Sequence, residues 1–351
     1  MQDNWQKFLT AQQLSIIENR ISTGHDPADE ARRCLNENVL TAITQFGLIQ
    51  ATGNDCQTFL QGQLSNDVKL ASDTRTILAA YCSAKGRMLA DFRIIGIENG
   101  YLLQCPAEIL ASTLQRLRMF ILSSDVRLED ASDALCSLGI SGPDAQQLLA
   151  GHIASIPTAE NQVSHTDGII VVRLPGHQPR FMVIGSFTPI ADLWETLKSS
   201  TSLIGSDAWD LHDVSAAIPH ISTNTVDSFV PQMVNLHAID GISFTKGCYT
   251  GQEVVARMRY LGKLKRRMYR GHIASDSAPA AGDPLFSAYS QSGQGTGRIV
   301  TALPSPEGGY EVLAVIEIAA AESDTIHWQA TDGTELVLSS IPYEVPVDKN
   351  G

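Results

Sequence analysis

The sequence is poor in the features that mark secreted, membrane-spanning or nucleic-acid-binding chains. None of its six cysteines, Cys34, Cys56, Cys82, Cys105, Cys136 and Cys248, stands in a Cys-x-x-Cys pair. That spacing excludes zinc and iron–sulfur sites of the standard local patterns, predicts no metal, and points to reduced thiols. Apolar runs are short: Val312 to Ile318 is interrupted by Glu317, and no stretch nears the ~20 residues that span a bilayer. No basic start leads into an apolar run, so the protein is read as cytosolic, without a membrane partner. Cations are outnumbered, 25 Lys and Arg against 38 Asp and Glu, for a formal charge of −13. Such a balance argues against direct nucleic-acid binding, which needs a cationic surface. There is no His-Glu-x-x-His, no phosphate-binding Walker loop and no serine nucleophile elbow.

What is present is an ordinary globular composition over 351 residues, too long for one core, so two or three domains are predicted. Trp5, Phe8, Leu9, Leu14 and Ile17 fall near helical spacing and predict an amphipathic helix close to the N-terminus. A strand is predicted over Ala42–Ala51. A helix follows, capped by Asn54 or Asp55 and carrying Cys56, Phe59, Leu60 and Leu64. Strand-like runs Ile77–Ser83, Met88–Ile97 and Tyr101–Gln104 are punctuated by Lys85-Gly86 and Asn99-Gly100 turns, and a helix is predicted over Ala107–Ser123. The theme recurs with strands at Ala134–Ile140, Gly168–Leu174 and Phe181–Ile184, a short helix from Pro143-Asp144, and a longer one capped by Thr188. Helices packed on one face of strands give an α+β class with ferredoxin-like arrangements. After a helix over Asp207–Ala217, capped by Ser206 and carrying Trp209, and the motif region beyond it, short strands separated by Gly, Pro and Ser predict a C-terminal β-barrel.

The chemistry concentrates in Lys246-Gly247-Cys248-Tyr249-Thr250-Gly251-Gln252-Glu253. A short strand, Ile242 to Thr245, is predicted to enter a tight turn in which Gly247 and Gly251 relax the backbone, with a helix starting near Gly251. A cation two residues before Cys248 and a helix N-terminus beyond it both favour a thiolate, which makes Cys248 the reactive-thiol candidate. Glu253 can accept paired hydrogen bonds from an amino-substituted ring. Two readings of Cys248 stand at this point, since a cysteine between glycines also serves as a small buried packing residue. Between Arg257 and Arg270 lie Arg257, Arg259, Lys263, Lys265, Arg266, Arg267 and Arg270 with no acidic residue among them, either a local anion site or a solvated face.

These eight consecutive residues resemble the signature of the YgfZ folate-binding proteins, relatives of the glycine-cleavage aminomethyltransferase. The resemblance continues through Phe59–Val68, Ala84–Met88, Pro231-Gln232 and Asn235-Leu236, covering about residues 40 to 345. It implies an aminomethyltransferase-like ring of three domains around a folate channel. Residues 1–40 are then an N-terminal helical extension. Residues 41–130 and 205–262 form a discontinuous folate-binding α+β domain, 131–204 a second, ferredoxin-like α+β domain, and 263–345 the barrel. It also implies tetrahydrofolate as ligand, with Trp209 and Phe46 as stacking faces and Glu253, Tyr249, Arg257 and Arg259 around the pterin and glutamate tail. Lys246 and Cys248 then carry any chemistry. The implied role is accessory, keeping iron–sulfur proteins active, including tRNA thiomethylation enzymes. Alternatives are a folate-dependent one-carbon transferase and a non-catalytic interaction protein with a vestigial cavity. Trp209 also reads as a core residue of its helix.

Overall fold

The computed structural model describes residues 2–260, 264–289, 295–323 and 325–346. In chain order it opens with α1 (Asp3–Ala11), β1 (Ser15–Ile17), β2 (Arg20–Ser22) and α2 (Pro27–Asn36). Gln13, at φ 64°, ends α1 before Leu14. Glu18 and Asn19 both take positive φ, the geometry of a two-residue hairpin turn, so Ile17 lies on an exposed strand and not on the predicted helix. Asp26 caps α2, accepting from the Asp29 amide at 2.9 Å, with Pro27 in the first turn.

The predicted strand over Ala42–Ala51 is two strands, β3 (Val39–Ala42) and β4 (Phe46–Thr52), which join different sheets. The polar pair Thr44-Gln45 falls in that break, but two polar residues without Gly or Pro carry no turn signal. Next come α3 (Cys56–Gln63), β5 (Ile77–Cys82), β6 (Met88–Ile97), β7 (Gly100–Pro106), α4 (Ala107–Arg118) and β8 (Arg127–Asp130). Then follow β9 (Cys136–Ser141), α5 (Ala145–Ala150), β10 (Val163–Thr166), β11 (Ile169–Leu174), β12 (Arg180–Gly185), α6 (Phe187–Leu197) and β13 (Ser202–Leu203). Ser186, not Thr188, occupies the N-cap position of α6. The last elements are α7 (Ser206–Ser215), α8 (Gln252–Tyr260), β14 (Arg266–Ile273), β15 (Pro284–Phe286), β16 (Gly297–Pro304), β17 (Tyr310–Glu317), α9 (Ile318–Ser323), β18 (His327–Trp328) and β19 (Thr334–Ser339). Among the described residues no helix is long and apolar enough to cross a membrane.

The chain divides into two compact units: residues 1–60, 68–77 and 93–212, and residues 61–67, 78–92 and 213–351. The first holds a six-stranded sheet ordered β10-β11-β12-β9-β3-β13. Trp5 and Leu9 of α1 are buried in one core cluster with Trp194 of α6 and Leu138, Ile140 and Phe181 of the sheet, so residues 1–40 contribute to this core. A second cluster joins Val39, Leu48, Ile95, Met182 and Trp209. The second sheet runs β5-β6-β7-β4-β8, and β6 passes from one unit into the other. The second unit ends in a closed barrel ordered β14-β17-β16-β15-β18-β19, lined by Ile273, Leu285, Ile299, Val312, Ile316 and Leu336. The fold class is α+β with a C-terminal β-barrel.

Candidate functional site

In the second unit the sequence motifs meet. The segment before α8 is irregular from Gly241 to Gly251, without the predicted strand at Ile242 to Thr245. Its backbone bonds instead to the turn after α3. The Ser243 amide donates to the Ser65 carbonyl at 3.0 Å, the Ser65 hydroxyl donates to the Gly241 carbonyl at 2.8 Å, and Asn66 Nδ2 donates to the Asp240 carbonyl at 2.6 Å. Lys246 is buried, and its Nζ donates to the carbonyls of Gln61 (2.7 Å), Leu64 (2.7 Å) and Asn66 (2.8 Å). An ammonium has three N–H bonds, and three carbonyls take them, one in the last turn of α3 and two in the turn beyond it. Lys246 is therefore a positioning residue, in place of the expected catalytic one. Burial pushes it down to about 8, with the Asp67 carboxylate pulling the other way.

Glycine is required on the far side of the loop. Gly251 sits at φ 81°, and a Cβ there would meet the Ser83 carbonyl oxygen at 2.5 Å and Gly86 Cα at 2.9 Å. Gly86, at φ 69°, is equally close to Val254, so the β5–β6 turn lies against the start of α8. Gln232 Nε2 donates to the Val255 carbonyl at 2.6 Å, and Asn235 Nδ2 to the Met268 carbonyl at 2.9 Å. Between these anchors Gly247 and Cys248 are exposed while Tyr249 is buried, its ring 5.2 Å from the Lys246 ammonium. Burial raises the Tyr249 phenol well above its ordinary range. Of the six cysteines five are buried and Cys248 is exposed. Burial lifts Cys56 to about 11 and Cys82 and Cys136 to about 12, which keeps those thiols protonated.

The helix begins at Gln252, as the glycine placement predicted, and carries Glu253 in its first turn. Glu253 and Arg257, one turn apart, are both exposed, and the Arg259 guanidinium lies 3.8 Å from the Phe244 ring centroid. Folate joins a pterin that donates N–H bonds to a glutamate whose carboxylates accept them. A carboxylate and two guanidinium groups on α8 fit that ligand in kind. The cationic run is partly neutralised in space. Arg266 pairs with Glu317 at 2.8 Å, Arg270 pairs with Glu311 at 3.1 Å, and Arg267 lies 4.8 Å over Tyr269. Lys263 lies outside the described residues.

Trp209 and Phe46 belong to the first unit and share one core cluster. Trp209 is 1% exposed. The Arg180 guanidinium covers its ring at 4.4 Å, and a Cβ on Gly139 would come within 2.6 Å of it. His212, also buried, meets it edge-on at 5.7 Å and holds Cys34 Sγ at 3.0 Å through Nε2. The face expected to stack on a ligand is thus occupied by the protein itself, and half-buried Phe46 packs against the same cluster.

Sequence reasoning missed one titratable cluster in the second unit. His220 Nδ1 lies 2.8 Å from Asp91 Oδ2, and its Nε2 lies 3.4 Å from Asp213 Oδ2. The other Asp91 oxygen accepts from the Ile221 amide at 2.6 Å. Burial pushes the imidazolium down, but the Asp91 charge and hydrogen bonds to both carboxylates outweigh it and raise His220 to about 10. A lone carboxylate inside the apolar strand β6 was the available signal.

Residues 16–185 match the family model of the GCVT N-terminal domain. The chain is 30% identical over 282 residues to the tRNA-modifying protein YgfZ of Colwellia psychrerythraea, covering 80% of this chain and 86% of that one. It is 31% identical over 306 residues to the protein of that name from Pectobacterium atrosepticum, covering 87% and 92%. The solved aminomethyltransferase T of the glycine cleavage system from Bartonella henselae superposes with a TM-score of 0.76 over 99% of both chains, at 15% identity, and so shares the fold. With relatives at 30% and 31% identity covering most of its length, the chain belongs to the YgfZ family.

Proposed function

We propose that this protein is a folate-binding accessory factor that supports iron–sulfur enzymes of tRNA thiomethylation. The observation that carries the reading is the loop itself: Lys246 locks its backbone while Cys248 stays exposed. Relatives named as tRNA-modifying proteins and the fold of an aminomethyltransferase support the direction of the role. Tetrahydrofolate, when bound, supplies one-carbon or reducing chemistry. The chain's own groups hold it, with Glu253 accepting from N–H donors and Arg257 and Arg259 meeting carboxylates. Cys248 then acts as a thiol toward a folate adduct, a cluster or a partner, in the cytosol.

Calorimetric titration of the purified protein with tetrahydrofolate tests the ligand. Saturable binding is expected, with roughly tenfold loss or more for Glu253→Gln and for the Arg257→Ala, Arg259→Ala double variant. Absence of binding heat and of any ligand-dependent rise in melting temperature refutes folate as ligand. A second reading is a one-carbon transferase in which the exposed Cys248 is the nucleophile. Turnover of methylene-tetrahydrofolate with an amine acceptor would favour it.

A further inference from the structure

Among the described residues large exposed apolar side chains are mostly scattered singly, except at the end of α4. There Met119 is 62% exposed, Phe120 42% and Leu122 93%, within four consecutive residues of the first unit. A lone exposed leucine means little, whereas a cluster of this kind marks an association surface. The turn is also held in place. The amides of Met119, Phe120 and Ile121 donate to the carbonyls of Arg116, Leu117 and Arg118. Beyond the turn, Asp125 Oδ2 accepts from Asn54 Nδ2 at 2.7 Å and the Asp125 amide donates to Asp55 Oδ2 at 2.8 Å. An apolar projection fixed at both ends loses little conformational entropy on docking.

We propose that the turn Met119–Leu122 is a self-association surface that meets the same turn of a second copy of this chain. Charge selects that occupant. A molecule of formal charge −13 repels its own copies. Around this turn, however, exposed Arg116, Arg118 and Arg127 stand among exposed Asp55, Asp125, Glu129 and Asp130, so the patch carries both signs with a single negative charge in excess. A two-fold contact can set cations of one copy against anions of the other. Strand addition is not the mode. β8 is a sheet edge, but Arg118 Nε and Nη2 already bond the Leu128 carbonyl at 3.0 and 2.6 Å. Four side chains bury less than the ~1,200 Å² of a stable interface, so the dimer is weak and concentration-dependent.

Sedimentation velocity of the full chain from about 5 to about 500 μM tests this, the range in which an undersized interface dissociates. The weight-average coefficient should rise with concentration, and rise further with salt as the long-range repulsion is screened. The Phe120→Ser, Leu122→Ser double variant should weaken association by about tenfold or more, while Ile17→Ser, at another exposed site, should not. Because these side chains are exposed, the variants should keep the wild-type circular dichroism and melting temperature. A wild type that stays monomeric throughout, or a double variant that associates like wild type, overturns the proposal.

Discussion

Replacing Lys246 by methionine keeps the length of the side chain and removes its three donors. Two of the three carbonyls it serves, those of Leu64 and Asn66, are buried acceptors. Leaving them unpaired costs about 1–3 kcal/mol each, or about 2–6 together. Against this stands the relief of no longer carrying a buried ammonium. Burial holds Lys246 at about 8 against an ordinary 10.5, which sets that relief at about 3 kcal/mol. Water reaching the Gln61 carbonyl, at the part-buried end, softens the loss there. The balance, about 2–6 less about 3, is centred on a destabilisation of about 1 kcal/mol and reaches at most about 3, concentrated in the loop, because the barrel and both core clusters are untouched. Amide hydrogen exchange reads it locally: exchange at Ser243 to Thr250 should quicken about fivefold, and at most about 100-fold, while β16 and β17 keep wild-type protection. Unchanged exchange in the loop of the methionine variant would refute the claim that Lys246 fixes it.

Trp209→Ala should cost about 3–5 kcal/mol in urea unfolding as a core truncation, and Gly139→Ala about 1–3 through the clash with the indole ring; near-neutral values would return Trp209 to the list of ligand-facing residues. His220 is raised from 6.5 to about 10 in the folded state, so its stabilisation is complete below about pH 6.5 and is lost as pH climbs through 10. The stability gap between wild type and His220→Asn should accordingly narrow between pH 7 and pH 9 by up to about 1.4 kcal/mol per pH unit, and a gap that widens would reverse the assignment. Titration with an aromatic disulfide reagent should find one fast thiol in the native protein and none in Cys248→Ala; several fast thiols would contradict the burial of the other five.

Local signals in the chain were enough for the barrel and for the start of α8. The short apolar run Val312 to Ile316 and the glycine at position 251 each act within a few residues of themselves. The hairpin at Glu18-Asn19 was hidden because neither residue is glycine, yet both take positive φ. The split of β3 from β4 was hidden because the residues between them, Ile43-Thr44-Gln45, include neither Gly nor Pro and read as a continuing strand. At the site, the motif residues were visible but their duties were tertiary. Lys246 reads as a cation beside a thiol until the carbonyls of Gln61, Leu64 and Asn66, some 180 residues earlier, are brought under it. His220 reads as an isolated histidine until Asp91 arrives from β6. Trp209 reads as a stacking face until Arg180 is laid over it.

The most direct test is the 2-methylthio content of tRNA in a strain lacking this protein and supplied with Cys248→Ala. Expressed at wild-type level and with unchanged melting temperature, that variant should leave tRNA thiomethylation as low as an empty vector does. Full restoration by the alanine variant would contradict a functional role for the exposed thiol.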